Sequence, residues 1–270
     1  MTIAAAYLVS DGVVLGADSS TTVQISNPQG GSGIVQLLTH SQKVFEVGSN
    51  ARFGICTWGA GNIGKWSHRT IIARLSDQMN EKSTVEDAAK GLVEIVLPLV
   101  KETGTDFIGY YLGGWNPENH EPACIKVEIS QSGDKIEPLT LGLCSFSGNP
   151  IFFGRVFRGF DVRLPETLKN KLRDKINSTE DFDNIFNNAF EEITRPLATI
   201  GYKDLPIREA IDFIYSYLHI TVKAEKFKFG APSCGGPIEV GFISTDRTFR
   251  WVKHKPFFSA MEEQEGEYYE

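Results

Sequence analysis

MTIAAAYLVSDGVVLGADSS, residues 1–20, sets a hydroxyl directly behind the initiator Met and then runs two apolar stretches around a turn to Asp18. Residues 3–9 and 13–18 read as two antiparallel strands around Ser10-Asp11-Gly12, a three-residue hairpin loop with Gly at the left-handed position. In that register Ala4 faces Asp18, and Thr2 lies two residues along on the same face. A two-residue loop shifts the pairing and puts Asp18 on the opposite face. The hairpin explains the spacing of the apolar residues but not Thr2.

Outward from this hairpin, SNPQGGSG reads as a loop, and KVFEV and RFGICTW as strands. A first helix is expected over about 62–80, with Ile71, Leu75 and Met79 four residues apart. A second follows a capping box of Ser83 and Glu86, with Val85, Ala88, Ala89, Leu92, Val96 and Leu99 at helical spacing and Gly104 as its stop. Strands return at 107–113, 124–130 and 137–147. The next block is helical, with stripes at Leu168, Leu172 and Ile176, at Phe182, Ile185, Phe186, Ala189 and Phe190, and at Ile207, Ala210, Ile211, Ile214 and Leu218. PIEVGFIS and TFRWVKH close the chain as a hairpin. Helices in two separate runs, rather than alternating with strands, point to an α/β fold in which they cover two packed sheets from outside, a four-layer αββα sandwich. One domain over 1–260 is expected, with extra helices at about 160–200 and a disordered acidic tail at 261–270.

The 270 residues, 41% hydrophobic with 18 Phe, are ample for a large core, since a chain this long buries roughly three-quarters of its unfolded surface. A net charge of −7 argues against nucleic acid or an anionic membrane as partner. Cys56, Cys124, Cys144 and Cys234 include no C-x-x-C pair, so zinc and thioredoxin-type readings lack support, and reduced thiols in a cytoplasmic protein are expected. AAAYLV is too short for a signal core, and no apolar run reaches the roughly 20 residues of a membrane span.

GAGNIG (Gly59, Gly61, Gly64) matches the dinucleotide fingerprint between a strand and a helix, but the next element is another helix, so no βαβ unit forms. No G-x-S-x-G elbow is present. His68 and His219 read as helical core or surface residues. Thr2 gains meaning once Met1 is removed, as is usual before a small residue. Its α-amine, with a reference pKa of about 7.7–8.0, can take the proton from its own hydroxyl. Such a site also needs a cation, an acid to hold it and backbone amides for an oxyanion; Lys43, Asp18 and the glycine turn after Trp58 are candidates.

With these residues in view, TIAAAYLVSDGVVLGADSSTT resembles the start of a proteasome β-type subunit, of the N-terminal-nucleophile hydrolases. SQKVFEV resembles that family's Lys-apolar-Phe strand, SFSGNPIFFG its Ser-Gly-x-Pro motif opening a helix, and CGGPIEVGFIS its Gly-Gly hairpin, in the family's order. The resemblance implies Thr2 as nucleophile, Lys43 favouring its deprotonated form, Asp18 orienting Lys43, and Ser147 bonding near the Thr2 amine. It also implies strand pairing of a peptide substrate at Thr22 and an oxyanion amide at Gly59, or at Trp58 with a different gap. The first specificity pocket falls near Thr21, Phe45 and Cys56.

The chain departs from the family in three ways. Ala231 and Cys234 stand where the family has an Asp and, three residues on, a Ser, with Ser233 as a candidate substitute. The helical block after Ser147 is longer than usual, and maturation needs only the loss of Met1. The resemblance thus implies a bacterial-type, proteasome-like threonine endopeptidase that hydrolyses peptides or unfolded proteins. It further implies a homo-oligomeric ring, an ATP-dependent unfoldase as possible partner, and no cofactor or metal. The other readings are a non-catalytic scaffold subunit, an amidase of small amides and, on the glycine match, a dinucleotide binder.

Overall fold

The computed structural model describes residues 2–26, 32–48, 50, 52–149, 151–161, 163–172, 175, 179–194, 202–246 and 248–255. The opening hairpin is present as β1 (Ile3–Val9) and β2 (Gly12–Ala17), but its loop is two residues long, with Val9 opposite Gly12 and Ala4 opposite Ala17. Gly12, expected to turn the chain, is instead the first residue of β2. Its φ is +151°, and a Cβ there would lie 2.0 Å from the Ile243 carbonyl oxygen, so glycine serves the close approach of a neighbouring strand.

That neighbour is β13 (Glu239–Ser244), paired with β2 on one side and β14 (Phe249–Lys253) on the other. With β12 (Cys144–Gly148) on the outer side of β1, they make a five-stranded antiparallel sheet ordered β12-β1-β2-β13-β14. A second five-stranded antiparallel sheet runs β11 (Gly133–Pro138), β10 (Pro122–Ser130), β9 (Phe107–Trp115), β6 (Phe53–Gly59) and β5 (Val44–Val47). The single strand expected over 137–147 is therefore two strands in different sheets. The chain crosses between them at Gly142, whose φ of +84° turns it and whose N–H donates to the Leu8 carbonyl. Two short ladders complete the strands: β3 (Thr21–Ser26) with β4 (Ser32–Leu38), and β7 (Asn62–Ile63) with β8 (Trp66–Ser67).

Side-chain alternation on β1 decides what packs where. Ala4, Ala6 and Leu8 face the second sheet and join Leu15, Val44, Trp58 and Tyr111 in a cluster between the sheets. Ile3, Ala5, Tyr7 and Val9 face outward, against Ile214 and Leu218 of the helix α6 introduced below. Burial on both faces is why AAAYLV reads as an unbroken apolar run. On the other sheet's outer face, α1 (His68–Gln78) and α2 (Val85–Thr103) pack Ile71, Leu75, Leu92 and Val96 against Phe53, Ile55 and Leu112. Each such aliphatic side chain contributes about 1.5–3 kcal/mol on full burial.

α1 starts six residues later than expected, because residues 62–67 form the β7–β8 ladder and Ser67 caps the helix by accepting from the Thr70 N–H. The α2 cap is one residue further along than expected: Thr84 and Asp87 bond reciprocally. Gly104, at φ +70°, ends the helix as anticipated.

The later helices are α3 (Ile151–Arg158), α4 (Leu164–Leu172), α5 (Thr179–Thr194) and α6 (Ile207–Lys226). In α5, Phe182 is buried and stacks on Phe186, whereas Ile185 of the expected stripe is exposed. Ile176 and the tail at 261–270 lie outside the described residues.

Candidate active site

β2 ends at Ala17, and there the chain leaves the ladder. Asp18, fully buried, sits where the strand alternation no longer dictates its direction. Its Oδ1 accepts from the Ile3 N–H at 3.1 Å, and its Oδ2 from the Ser20 N–H at 3.2 Å, the Ser20 hydroxyl at 2.7 Å and the Gly235 N–H at 2.8 Å. Lys43 stands just ahead of β5 in the other sheet, its carbonyl accepting from the Thr57 N–H. From there its ammonium crosses the gap, donating to Asp18 Oδ1 at 2.7 Å and to Thr2 Oγ1 at 2.7 Å.

The expected pairing of Ala4 with Asp18 is thus wrong by one residue, yet the site forms. The observed register sets Asp18 opposite Ile3, its N–H donating to the Ile3 carbonyl. Lys43 then bridges what a flat hairpin would leave on opposite faces. Thr2 and Lys43 are 5% and 6% exposed, so this is an interior triad. Burial pushes the Lys43 ammonium below its ordinary pKa, while Asp18 opposes that shift by its charge and its hydrogen bond. With Lys43 donating to Thr2 Oγ1, the hydroxyl proton of Thr2 is directed away from the lysine.

Gly148 sets the backbone of Thr2. It pairs opposite Ile3 with φ +87°, and a Cβ at this position would sit 1.9 Å from the Thr2 carbonyl oxygen. Ser147 pairs opposite Ala4, and its hydroxyl lies 2.6 Å from the Tyr111 hydroxyl. Among the described residues no hydrogen bond joins Ser147 to Thr2, so its contact with the triad is through neighbours rather than direct. The Tyr111 ring packs at a tilt against Trp58, with centroids 4.6 Å apart, which ties Ser147 to the wall of the adjoining cleft.

Sequence reasoning missed an acid. Glu225, in the last turn of α6, is 1% exposed and accepts from the Ser233 N–H and hydroxyl, each at 2.8 Å. Asn149, next to Gly148, donates to Ser233 Oγ at 2.6 Å and to Glu225 Oε1 at 3.1 Å. Burial alone would push the Glu225 carboxyl up, but the bonds from Ser233 and Asn149 outweigh it and hold the group below its ordinary range.

A carboxylate therefore reaches Ser233 from a helix, although Ala231 and Cys234 stand in the loop. The signal was legible: Ala210, Ile214, Leu218, Thr221 and Glu225 all lie on the buried stripe of α6, and a Glu on a core stripe needs partners. Asn149 Oδ1 is buried beside these groups without a partner among the described residues. Cys234 is no rival nucleophile, because burial first, and then the charges of Asp18 and Glu225, push its thiol up to about 12.

Thr2 and Lys43 open into a cleft of about 790 Å³, bordered by Thr21 and Thr22 of β3 on one side and Gly59, Ala60 and Gly61 on the other. Thr21 and Phe45 line it as expected, whereas Cys56 is buried between the sheets and does not. Thr22 pairs with Leu37, and its hydroxyl is buried without a partner among the described residues. The Thr57 N–H points to the β5 side, so by strand alternation the Gly59 N–H, two residues on, points to the same side, past the end of β5.

Gly59 has φ +96°, and a Cβ there would come within 2.8 Å of the Phe107 carbonyl oxygen. His68 lies 2.8 Å by Nε2 from the Ala60 carbonyl, and burial lowers its pKa, so the ring is neutral while it pins this turn. The glycine match is thus not a dinucleotide site: the turn leads into the β7–β8 ladder, not a helix, and both large sheets are antiparallel. No group of three or more potential metal ligands and no helix long and apolar enough to cross a membrane occurs among the described residues.

No protein-family model matches this chain, and no curated protein matches its sequence. Its structure is similar to that of Anbu, described as an ancestral β-subunit, from Yersinia bercovieri, at 14% identity and a TM-score of 0.54 over 98% of this chain and 93% of that one. It is also similar to an Anbu Gly-1 mutant from Hyphomicrobium sp. strain MC1, at 12% identity and a TM-score of 0.54, over 96% and 88%. The chain therefore shares a proteasome-like fold with these Anbu structures along nearly its whole length.

Proposed function

We propose that this chain is a threonine-type peptidase of proteasome-like architecture, with Thr2 as nucleophile once Met1 is removed. Its frame is one domain over 1–260 in the four-layer αββα arrangement. The observation that carries the reading is the ammonium of Lys43, 2.7 Å from both Thr2 Oγ1 and a fully buried Asp18.

A peptide lies along β3, pairing its backbone at Thr22. Thr2 Oγ1 attacks the scissile carbonyl carbon, and its proton passes to the α-amine of Thr2. The carbonyl oxygen becomes an oxyanion held by the Gly59 N–H, while Lys43 stabilises the negative charge at Oγ1. Collapse breaks the C–N bond, and the departing amine takes the proton held by the Thr2 amine. Water then hydrolyses the resulting ester. Glu225, Ser233 and Asn149 bond to one another next to Cys234, so a carboxylate reaches this loop despite Ala231, which favours the catalytic reading over a non-catalytic scaffold. A homo-oligomeric ring in the cytoplasm, served by an ATP-driven unfoldase, belongs to the same proposal and rests on the resemblance.

The test is a mass-spectrometric peptide map after treatment with a peptide epoxyketone, which closes its double adduct only on a terminal amine with an adjacent hydroxyl. The expected result is an adduct on Thr2 with Met1 absent, and loss of peptide cleavage in Thr2→Ala. Cleavage that survives Thr2→Ala would refute Thr2 as nucleophile, whereas an unlabelled Thr2 or a retained Met1 in assembled protein would move the function to a scaffold.

A further inference from the structure

A second buried ion pair lies behind the first. Glu239 is on β13 opposite Ala17, and alternation with Val240, which faces α6, turns it into the space between the sheets beside Ile243's layer. It is fully buried, and a carboxylate in such a layer gives up its hydration. Its Oε2 is 3.0 Å from the Lys255 ammonium, itself 9% exposed, and its Oε1 is 2.9 Å from His254 Nδ1. The Trp251 ring packs at a tilt against His254, with centroids 4.1 Å apart, beside the carboxylate that His254 and Lys255 reach.

What these groups touch is the backbone that carries the triad. Lys255 Nζ donates to Ser19 Oγ at 3.1 Å, next to Asp18, and to the Ser41 carbonyl at 2.9 Å, two residues before Lys43. The Ser41 N–H donates to the Ser19 carbonyl, so the two arms are already laced at this point. Glu239 Oε2 accepts from the Lys43 N–H at 3.5 Å, the long limit of such a bond. Asp18 and Lys43 come from different sheets, and side chains add to the Ser41–Ser19 backbone bond in setting their separation.

We propose that Glu239 and Lys255 are positioning residues that clamp the Asp18 and Lys43 arms together and so place the Lys43 ammonium on Thr2 Oγ1. The inference rests on the threonine-peptidase reading for its kinetic consequence, though not for its geometry. A hydrophobic pair of similar volume could fill this space more cheaply in hydration, so a retained charged pair needs a task. Here the task is to fix the distance across the gap.

The experiment compares wild type with Lys255→Met and with the double variant Glu239→Gln, Lys255→Met, in which no uncompensated charge remains. Peptide cleavage and the acetylation of Lys43 by a soluble acylating reagent are measured on the same preparations. The expectation is a kcat about 10²-fold lower, as for an ångström-scale misplacement, with KM within about twofold. The double variant should melt near wild type yet stay slow, and its Lys43 should acetylate severalfold faster. Wild-type kcat and wild-type Lys43 protection in the folded double variant would overturn the clamp. If wild type itself neither cleaves peptide nor labels at Thr2, the peptidase reading fails, and the acetylation of Lys43 still decides the clamp on its own.

Discussion

Replacing Asp18 by asparagine keeps the shape of the side chain and removes its charge, at a position where every surrounding group is a donor. Oδ1 faces the Ile3 N–H and the Lys43 ammonium; Oδ2 faces two backbone N–H groups and the Ser20 hydroxyl. Either orientation of the amide turns its NH2 against at least two donors. Each buried donor left unmatched costs about 1–3 kcal/mol, and stripping one partner from a buried ion pair costs about 3–5 kcal/mol. The two routes to the figure overlap, so a loss of about 3–5 kcal/mol is expected, out of the roughly 5–15 kcal/mol available to a typical folded chain.

At about 2–4 °C per kcal/mol for a chain of this size, Asp18→Asn should lower Tm by about 10 °C, read by thermal melts and checked by urea midpoints. Thr2 labelling should be lost as well, because a buried Lys43 without its counter-charge shifts to the neutral amine. Adding Lys43→Met to Asp18→Asn removes the stranded cation. The double variant should therefore be clearly more stable than the sum of the single losses allows. Asp18→Asn within about 1 kcal/mol of the parent, the value of a merely exposed pair, or strict additivity of the two substitutions, would refute the reasoning.

Three further outcomes follow from the same geometry. Gly148→Ala forces a Cβ to within 1.9 Å of the Thr2 carbonyl at φ +87°; it should abolish epoxyketone labelling and cost more than the about 1–2 kcal/mol of a left-handed residue alone, and a labelled, stable variant contradicts this. For Glu225, the folded pKa lies below the unfolded one. Its contribution is therefore full above the unfolded value of about 4.3 and is lost as pH falls through the folded one. The Tm gap between wild type and Glu225→Gln should be widest near neutrality and close in acid, and a gap independent of pH argues against a charged Glu225. With its thiol at about 12, Cys234 should resist alkylation in the folded protein at about pH 8, and Cys234→Ala should keep Thr2 labelling; rapid native alkylation is the opposing result.

Much of the molecule was legible in one dimension because local chemistry specifies it. Apolar alternation and continuity placed β1, β2, β6 and β13; the periodic stripes placed α2 and α6; Gly104 ended a helix by its left-handed φ. Thr2, Asp18 and Lys43 were readable as residue types that such chemistry requires. Errors arose where pairing partners, near or distant, overrode the local signal. Gly12 serves the approach of β13 rather than a turn, residues 62–67 pair with each other before α1 begins, and 137–147 divides between two sheets.

Tertiary structure alone decided the rest of the site. Lys43 lies 41 residues from Thr2, and their hydrogen bond exists only once the two sheets are stacked; Lys255 lies 236 from Ser19 and meets it only once β14 has joined the first sheet. Strand periodicity constrains a side chain within its own sheet. It says nothing of which charge will meet it across a gap between sheets, where burial makes each unpaired group too costly to leave alone.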